Sequence, residues 1–476
     1  MDALRVTSSP VVSIASSPAA SLASSPTPSS PLVSLNSSSV ASLASSPAAS
    51  VAGSLADTDG EGQSADWSDT DGASAIPGTS RASSPEVGTK RKRKRYASDK
   101  VAKKEHWRRK RQREQEELGP TAPRPPKHHE IPDIVQATLT PVSHFPVNTT
   151  GYTTNRIGSI QPDVVWTFLR LRDISIEKVL AWDGIKPIGI LDDEGRIIAV
   201  LAGRPIKDSG AGDDWDKVVA GLEAAIAKLK RQSSFTAKDQ DHRRGPHPAK
   251  AYGVSHGGGQ TQPSVLDLGS KKNCRAADAF RSDPSVIRAA HFANAAFSTF
   301  APKLYERYCD YLERLRRHDP TLTWNFPRSV FPAMTVNFGP NAVCYDHLDF
   351  GNAAAGWCAI TSAGSYDPKL GGHLILFDID LIVEFPPGST ILIPSSIMRH
   401  GNTPIQDGET RVGITQYAAG GLFRYVDHGF STQDKADPKV RARVLAEGPS
   451  RFEKLLSLYS RIDTLEQDRK NMTLYS

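Results

Sequence analysis

Apolar positions follow three different patterns along the chain. Over residues 1–88, serine and proline cut every short apolar run before a face of period 2 or 3.6 can form. The unit SLASSP recurs at 21–26 and 42–47, and ASSPAAS at 15–21 and 44–50. Such a segment cannot bury enough apolar area to offset its backbone entropy, so residues 1–89 are expected to be a disordered Ser/Ala/Pro-rich region. Its Ser-Pro steps at Ser9, Ser17, Ser25, Ser46 and Ser84 are candidates for proline-directed phosphorylation.

From about Ile131 the pattern becomes that of a folded body reaching to about Phe430, near the upper size of one hydrophobic core. Pro187–Asp192 and Arg196–Ala202 predict a hairpin turned at Asp193, Glu194 and Gly195. Trp215–Gln232 carries apolar residues at helical spacing, and Pro284–Arg317 reads as a long helical region broken near Pro302. Residues 233–262, with Arg243, Arg244, Lys250 and the run from His256 to Gly259, read as a flexible loop. The character changes after Pro327. Short strands are expected at Val330–Phe338, Val343–Asp349, Trp357–Ser362, His373–Phe377, Leu381–Phe385, Thr390–Ile393, Ile397–His400 and Arg411–Tyr417, with Gly/Pro turns between them. Some eight short strands with this punctuation indicate a double-sheet jelly roll or barrel. The expected fold class is therefore α+β: a double-stranded β-helix core over 326–430, an α/β part over 133–325, and a helical tail over 431–476 with a helix at Ser450–Asp468.

Composition alters this picture only locally. The apolar fraction is 38% and the aromatic fraction 7%, but 25 serines fall in the first 90 residues and account for the deficit. No segment has the ~18 uninterrupted apolar residues of a membrane span. The first fifty residues hold one basic residue, Arg5, and no compact apolar stretch, so neither a secretory signal nor a transit peptide is expected. Cys274, Cys309, Cys344 and Cys358 include no CxxC pair and read as reduced core thiols of an intracellular protein.

Charge is more informative. Residues 90–113 hold 14 Lys/Arg against Asp99 and Glu105, a local +12 within a chain of net +6, so everything outside that cassette sums to −6. Like charges this dense repel one another unless a polyanion or an import receptor offsets them. The cassette 90–118, helical from its N-cap Ser98, is therefore expected to serve nuclear import and sequence-independent phosphate contact, ahead of a Pro-rich linker over 119–132.

The candidate chemistry lies in the strand-rich half. His347-Leu348-Asp349 ends one expected strand; alone the pattern is weak, since a second His-x-Glu occurs at His128–Glu130. Fifty-one residues past Asp349, across four more strands, stands His400, and eleven further on Arg411 opens the last strand. A jelly roll gathers such strand ends at one mouth. Two imidazoles and a carboxylate there form the facial triad of non-haem Fe(II) with open positions. Arg411 would anchor a dicarboxylate cosubstrate through a bidentate pair, with Thr335 and Asn337 hydrogen-bonding it from the neighbouring strand. His373, after Gly371-Gly372, and Trp357 read as structural.

These residues resemble a 2-oxoglutarate/Fe(II)-dependent dioxygenase. The stretches NFGPNAVCYDHLDFGN, GWCAIT, GGHLILFD, EFPPGSTILIPSSIMRHGNTP and QYAAGGLFRYVDHGF resemble, more narrowly, the fungal branch of the TET/JBP-like nucleic-acid dioxygenases. The resemblance spans roughly residues 150–430. It implies Fe(II) on His347, Asp349 and His400, 2-oxoglutarate paired to Arg411, O2 as oxidant, and a methyl carbon hydroxylated with release of succinate. It places Asn352, three residues after the Asp, against the target base. Phe350, Tyr366 and Trp357 are candidate stacking residues for a base flipped from duplex DNA. The chain departs from the animal members in lacking their cysteine-rich zinc region. The expectation is thus a nuclear enzyme acting on 5-methylcytosine or N6-methyladenine. Its rivals are a protein or small-molecule hydroxylase, which has no use for the +12 cassette, and an inactive DNA-binding accessory protein, which need not retain all four site residues. Deleting residues 90–113 should weaken duplex-DNA binding and flatten its dependence on salt; an unchanged salt slope in a binding titration would refute the role of that arm.

Overall fold

The computed structural model describes residues 131–155, 163–205 and 214–472. The serine-rich region, the basic cassette with the helix expected from Ser98, and the linker up to residue 130 lie outside them. Among the described residues, no helix is long and apolar enough to cross a membrane.

The chain folds as a mixed α+β structure around two sheets. Its strands are β1 (Asp133–Gln136), β2 (Lys178–Leu180), β3 (Ile188–Leu191), β4 (Ile197–Gly203), β5 (Ala249–Ser255), β6 (Ser264–Val265), β7 (Ala333–Asn337), β8 (Cys358–Ser365), β9 (Leu374–Leu376), β10 (Leu381–Val383), β11 (Thr390–Ile393), β12 (His400–Asn402) and β13 (Thr410–Tyr417). Nine of them form one sheet in the order β1-β3-β4-β11-β8-β13-β7-β5-β6, and four form the other in the order β12-β9-β10-β2. Within β7–β13 nearly every neighbour is antiparallel and non-consecutive, so the chain crosses repeatedly from one sheet to the other.

Period-2 alternation fixes how the sheets face each other. In the smaller sheet Leu374, Leu376, Leu381 and Val383 share one core with Ala359, Ile391 and Ile393 of the larger sheet. Their alternates Ile375, Phe377 and Ile382 point away, onto Trp166, Leu171 and Ile176. On its own far side the larger sheet presents Met334, Val336, Ala363, Val412 and Ile414 to a layer of helices. β4 and β11 are buried along their whole length, which accounts for their unbroken apolar runs.

The helices lie where spacing and caps put them. Trp215–Gln232 buries Leu222, Ala225, Ile226 and Leu229, one helical stripe, against the sheet. Asp283 caps Pro284–Phe300 through the N–H groups of Ser285 and Val286, and Pro302 opens Pro302–His318, where its missing N–H costs nothing. Phe297 is the hub of the main core. It stacks on Phe331 and Trp357 and meets Tyr305 and Tyr308 edge-on.

Several expectations are corrected. Residues 233–262 are not a flexible loop: they contain the helix Ala237–Gln240 and β5, which pairs with β7. Val343–Asp349 is not a regular strand, because the Asn402 side chain takes the Cys344 N–H that a ladder partner would use; only the bridge between His347 and His400 remains. The strand expected at 397–400 lies instead at His400–Asn402. The C-terminal helix runs over Pro438–Leu456, through Pro449, and a short one follows at Leu465–Lys470. Leu456, Tyr459, Leu465 and Met472 of this stretch belong to the main core. Among the cysteines, Cys309 and Cys358 are buried, but Cys274 is exposed and Cys344 only half-buried.

Replacing Phe297 by alanine should cost about 3–5 kcal/mol of stability, read as a lowered urea midpoint. A loss below about 1 kcal/mol would show that this ring does not organise the core.

Candidate metal centre

His347, Asp349 and His400 come together as buried side chains whose ligand atoms all lie within 4.8 Å of one another. The backbone sets this up. His347 N–H donates to the His400 carbonyl (3.0 Å) and His400 N–H returns to His347 (3.1 Å). This antiparallel bridge brings the two rings to a centroid separation of 4.3 Å. Asp349 is anchored by its own N–H on the Ser395 carbonyl (2.9 Å), two residues along the extended segment from His347 and so on the same face.

The donor chemistry fits a divalent cation. His347 Nδ1 lies 2.9 Å from the Tyr345 carbonyl and His400 Nδ1 2.9 Å from the Met398 carbonyl. A carbonyl only accepts, so each Nδ1 carries the hydrogen and each Nε2 keeps a free lone pair toward the cavity. Burial, and then the neighbouring His400, hold His347 well below the ordinary imidazole range, so the ring is neutral and ready to ligate. For Asp349 burial opposes ionisation. The Arg244 guanidinium, followed by His347 and His400, outweighs it and holds the carboxyl well below the usual carboxylate range. Two imidazole nitrogens and one carboxylate with open space beside them suit Fe(II).

All three line a solvent-open cavity of about 640 Å³, counting its mouth. Thr335 and Asn337 of β7 and Arg411 of β13 line the same cavity. Asn337 Oδ1 is 3.2 Å from His247 Nε2, and Thr335 Oγ1 is 3.4 Å from the Tyr417 hydroxyl. Arg411 is buried and donates from Nη1 to the Ala342 carbonyl (2.8 Å), while its Nε has no partner. Among the described residues no carboxylate forms an ion pair with it. An unpaired buried guanidinium facing a cavity is a costly arrangement that an anionic ligand would relieve. Close packing makes the room: at Gly372 (φ +71°) a Cβ would strike the Tyr366 ring and the Arg411 stem.

The structure separates the three substrate candidates. Asn352 lines the cavity, with its amide donating to Ser395 Oγ at 3.2 Å. Phe350 is not among the residues lining the cavity; it lies beneath the Arg243 guanidinium, which is 4.8 Å from its ring centre. Tyr366 is elsewhere. It is buried behind Arg411, its hydroxyl engaged by Ser362 Oγ and the Phe385 carbonyl, which leaves no face for a base. Trp357 is core, and His373 is buried with Nδ1 on Thr403 Oγ1.

Sequence reasoning missed Arg244, which donates from Nε (2.8 Å) and approaches with Nη2 (2.7 Å) the same Asp349 oxygen, Oδ1. It also missed His247. Neither carries a motif, and 105 residues separate Arg244 from Asp349; an Arg-Arg-Gly-Pro turn in a polar stretch was the sole signal.

No family model matches the sequence, and no curated protein matches it. Among solved structures, NgTET1 in complex with 5mC DNA is similar at 12% identity, over 52% of this chain and 84% of that one, with a TM-score of 0.35. A 2OG-Fe(II) oxygenase family oxidoreductase from Burkholderia pseudomallei is 13% identical over 45% of this chain and 93% of the other, at 0.25. The viral collagen prolyl hydroxylase from Paramecium Bursaria Chlorella virus-1, solved as a 2OG complex, is 14% identical over 18% and 57%, at 0.16. At TM-scores this low, none of these likenesses assigns a reaction to the chain.

Burial pushes His247 down to about 4, against the opposing bond to Asn337, and pushes His373 to about 4 as well. The unfolded chain takes up a proton at each near pH 6.5, whereas the folded chain does so only near pH 4. Their contribution to stability is therefore complete above about pH 6.5 and is lost as the pH falls toward 4. The urea midpoint should drop over that window, and His247→Gln should make the drop shallower by about 1–3 kcal/mol. An equally steep drop in the variant would refute this.

Proposed function

We propose that this chain is an Fe(II)/2-oxoglutarate-dependent dioxygenase that oxidises the methyl group of a modified base in duplex DNA, 5-methylcytosine or N6-methyladenine. One observation carries the enzyme reading: a buried His347–Asp349–His400 cluster shares a cavity with Arg411, a buried cation that has no counter-ion among the described residues. The facing sheets, with β11-β8-β13-β7 opposite β12-β9-β10, support reading the core as a double-stranded β-helix.

In this reading Fe(II) would be held by His347, Asp349 and His400, and 2-oxoglutarate would be held by Arg411 in the same cavity. Bound together with O2, they supply oxidative decarboxylation to succinate and hydroxylation of a methyl C–H bond. The chain's own residues do the rest. His347 and His400, with Nδ1 turned to carbonyls, present their Nε2 atoms, and Arg244 keeps Asp349 ionised. Arg411 binds the distal carboxylate of the cosubstrate, while Asn337, oriented by His247, and Thr335 contact its polar atoms. Asn352 and Phe350 receive the base, which must leave the duplex stack at a cost of about a few kcal/mol. The substrate class rests on charge: the +12 cassette, and Arg243 over Phe350, offer a polyanion phosphate contacts. That same cassette supports a nuclear location and an import receptor as partner.

Succinate formation should require both iron and 2-oxoglutarate and vanish in His347→Ala. Mass spectrometry of methylated duplex oligonucleotides should find the oxidised base; turnover on proteins or small molecules but never on DNA would sink the substrate class. Arg411→Lys, which keeps the charge but loses the planar fork, should raise the KM for 2-oxoglutarate about tenfold or more. An unchanged KM would remove Arg411 from the cosubstrate site.

A further inference from the structure

We propose that Asp346 and Arg399 are positioning residues for the metal centre: an ion pair between a buried carboxylate and a half-buried guanidinium that holds His347 and His400 at ligand separation from behind. The proposal rests on reading the cluster as a metal site. Asp346 directly precedes His347, and Arg399 directly precedes His400. In extended backbone, consecutive side chains point to opposite faces. The two histidines face the cavity, and the two residues before them meet on the other side of the same bridge.

That meeting is close, and its carboxylate side is dry. Arg399 Nε donates to Asp346 Oδ1 at 3.2 Å, and Nη2 donates to Oδ2, so the fork is bidentate. Asp346 is 1% exposed, so water cannot replace the contact if it breaks. Arg399 is itself fixed. Its N–H donates to Asp378 Oδ2 (2.6 Å), its carbonyl accepts from Phe377 N–H (3.1 Å), and its guanidinium lies 5.3 Å from the Phe377 ring centre. The backbone joins the two segments through the His347–His400 bridge and through bonds from Asn402 N–H to the Cys344 carbonyl and from Asp349 N–H to the Ser395 carbonyl, and the Asn402 side chain adds bonds to Cys344 N–H and the Ala342 carbonyl. Within this set the Asp346–Arg399 fork is the contact set directly behind the two rings, and it holds the register that brings both to one point.

Full-length protein titrated with Co(II), followed by visible absorption, tests this without cosubstrate or DNA. Asp346→Asn and Arg399→Gln should each weaken Co(II) binding about 10–100-fold while near-UV circular dichroism stays native. Arg399→Lys, which retains the charge without the fork, should lose less. As a control, Arg196→Gln breaks another buried pair, Arg196 Nε–Asp192 Oδ2 at 2.7 Å in the β3–β4 hairpin. It should lower the Tm yet leave Co(II) affinity unchanged. Folded Arg399→Gln, or Arg399→Lys should the first not fold, binding Co(II) within about twofold of wild type would overturn the proposal. So would an equal loss of affinity in Arg196→Gln. Co(II) bound by wild type and undiminished in His347→Ala would instead overturn the metal site itself, and the clamp with it.

Discussion

The site depends on one short antiparallel bridge. His347 and His400 exchange both backbone hydrogen bonds, which places two imidazoles side by side in a buried pocket with their Nδ1 hydrogens already given to carbonyls. Among the described residues neither ring has a hydrogen-bond partner for its Nε2 at the cavity. What the two rings offer is a pair of lone pairs converging where an electron-pair acceptor relieves them.

Around that bridge the charges are arranged asymmetrically. Asp349 lies against Arg244, so one carboxylate is neutralised and oriented before any cation arrives. Arg411, in the same cavity, has no such neighbour among the described residues and keeps an unpartnered Nε. Its burial is sustained by the Ala342 carbonyl and by ring surface from Phe385. One end of the cavity thus suits a cation and the other an organic anion, the two ends of a metal-chelating dicarboxylate.

Much of the fold was legible because local chemistry agreed with tertiary demand. Asp283-Pro284 and Pro302 start helices by capping and by a missing N–H, and Leu222, Ala225, Ile226 and Leu229 mark one helical face. The β3–β4 hairpin and β11 were plain from their apolar runs. Val343–Asp349 was misread because its apolar alternation is strand-like, while the Asn402 side chain intercepts the ladder. Residues 233–262 were misread because glycine, proline and charge look like a loop, whereas Arg244 and His247 serve the cavity.

His347, Asp349, His400 and Arg411 could be picked out from order and spacing alone, since strand ends separated by whole crossings must return to one edge. Arg244, His247 and the Asp346–Arg399 fork could not, because long-range contacts between a loop and a sheet leave no period in the chain. Tyr366 looked as suitable for a base as Phe350. Only packing decided that one ring lies buried behind Arg411 and the other beneath the Arg243 guanidinium, since residue type sets what a side chain can do and burial sets what it can reach.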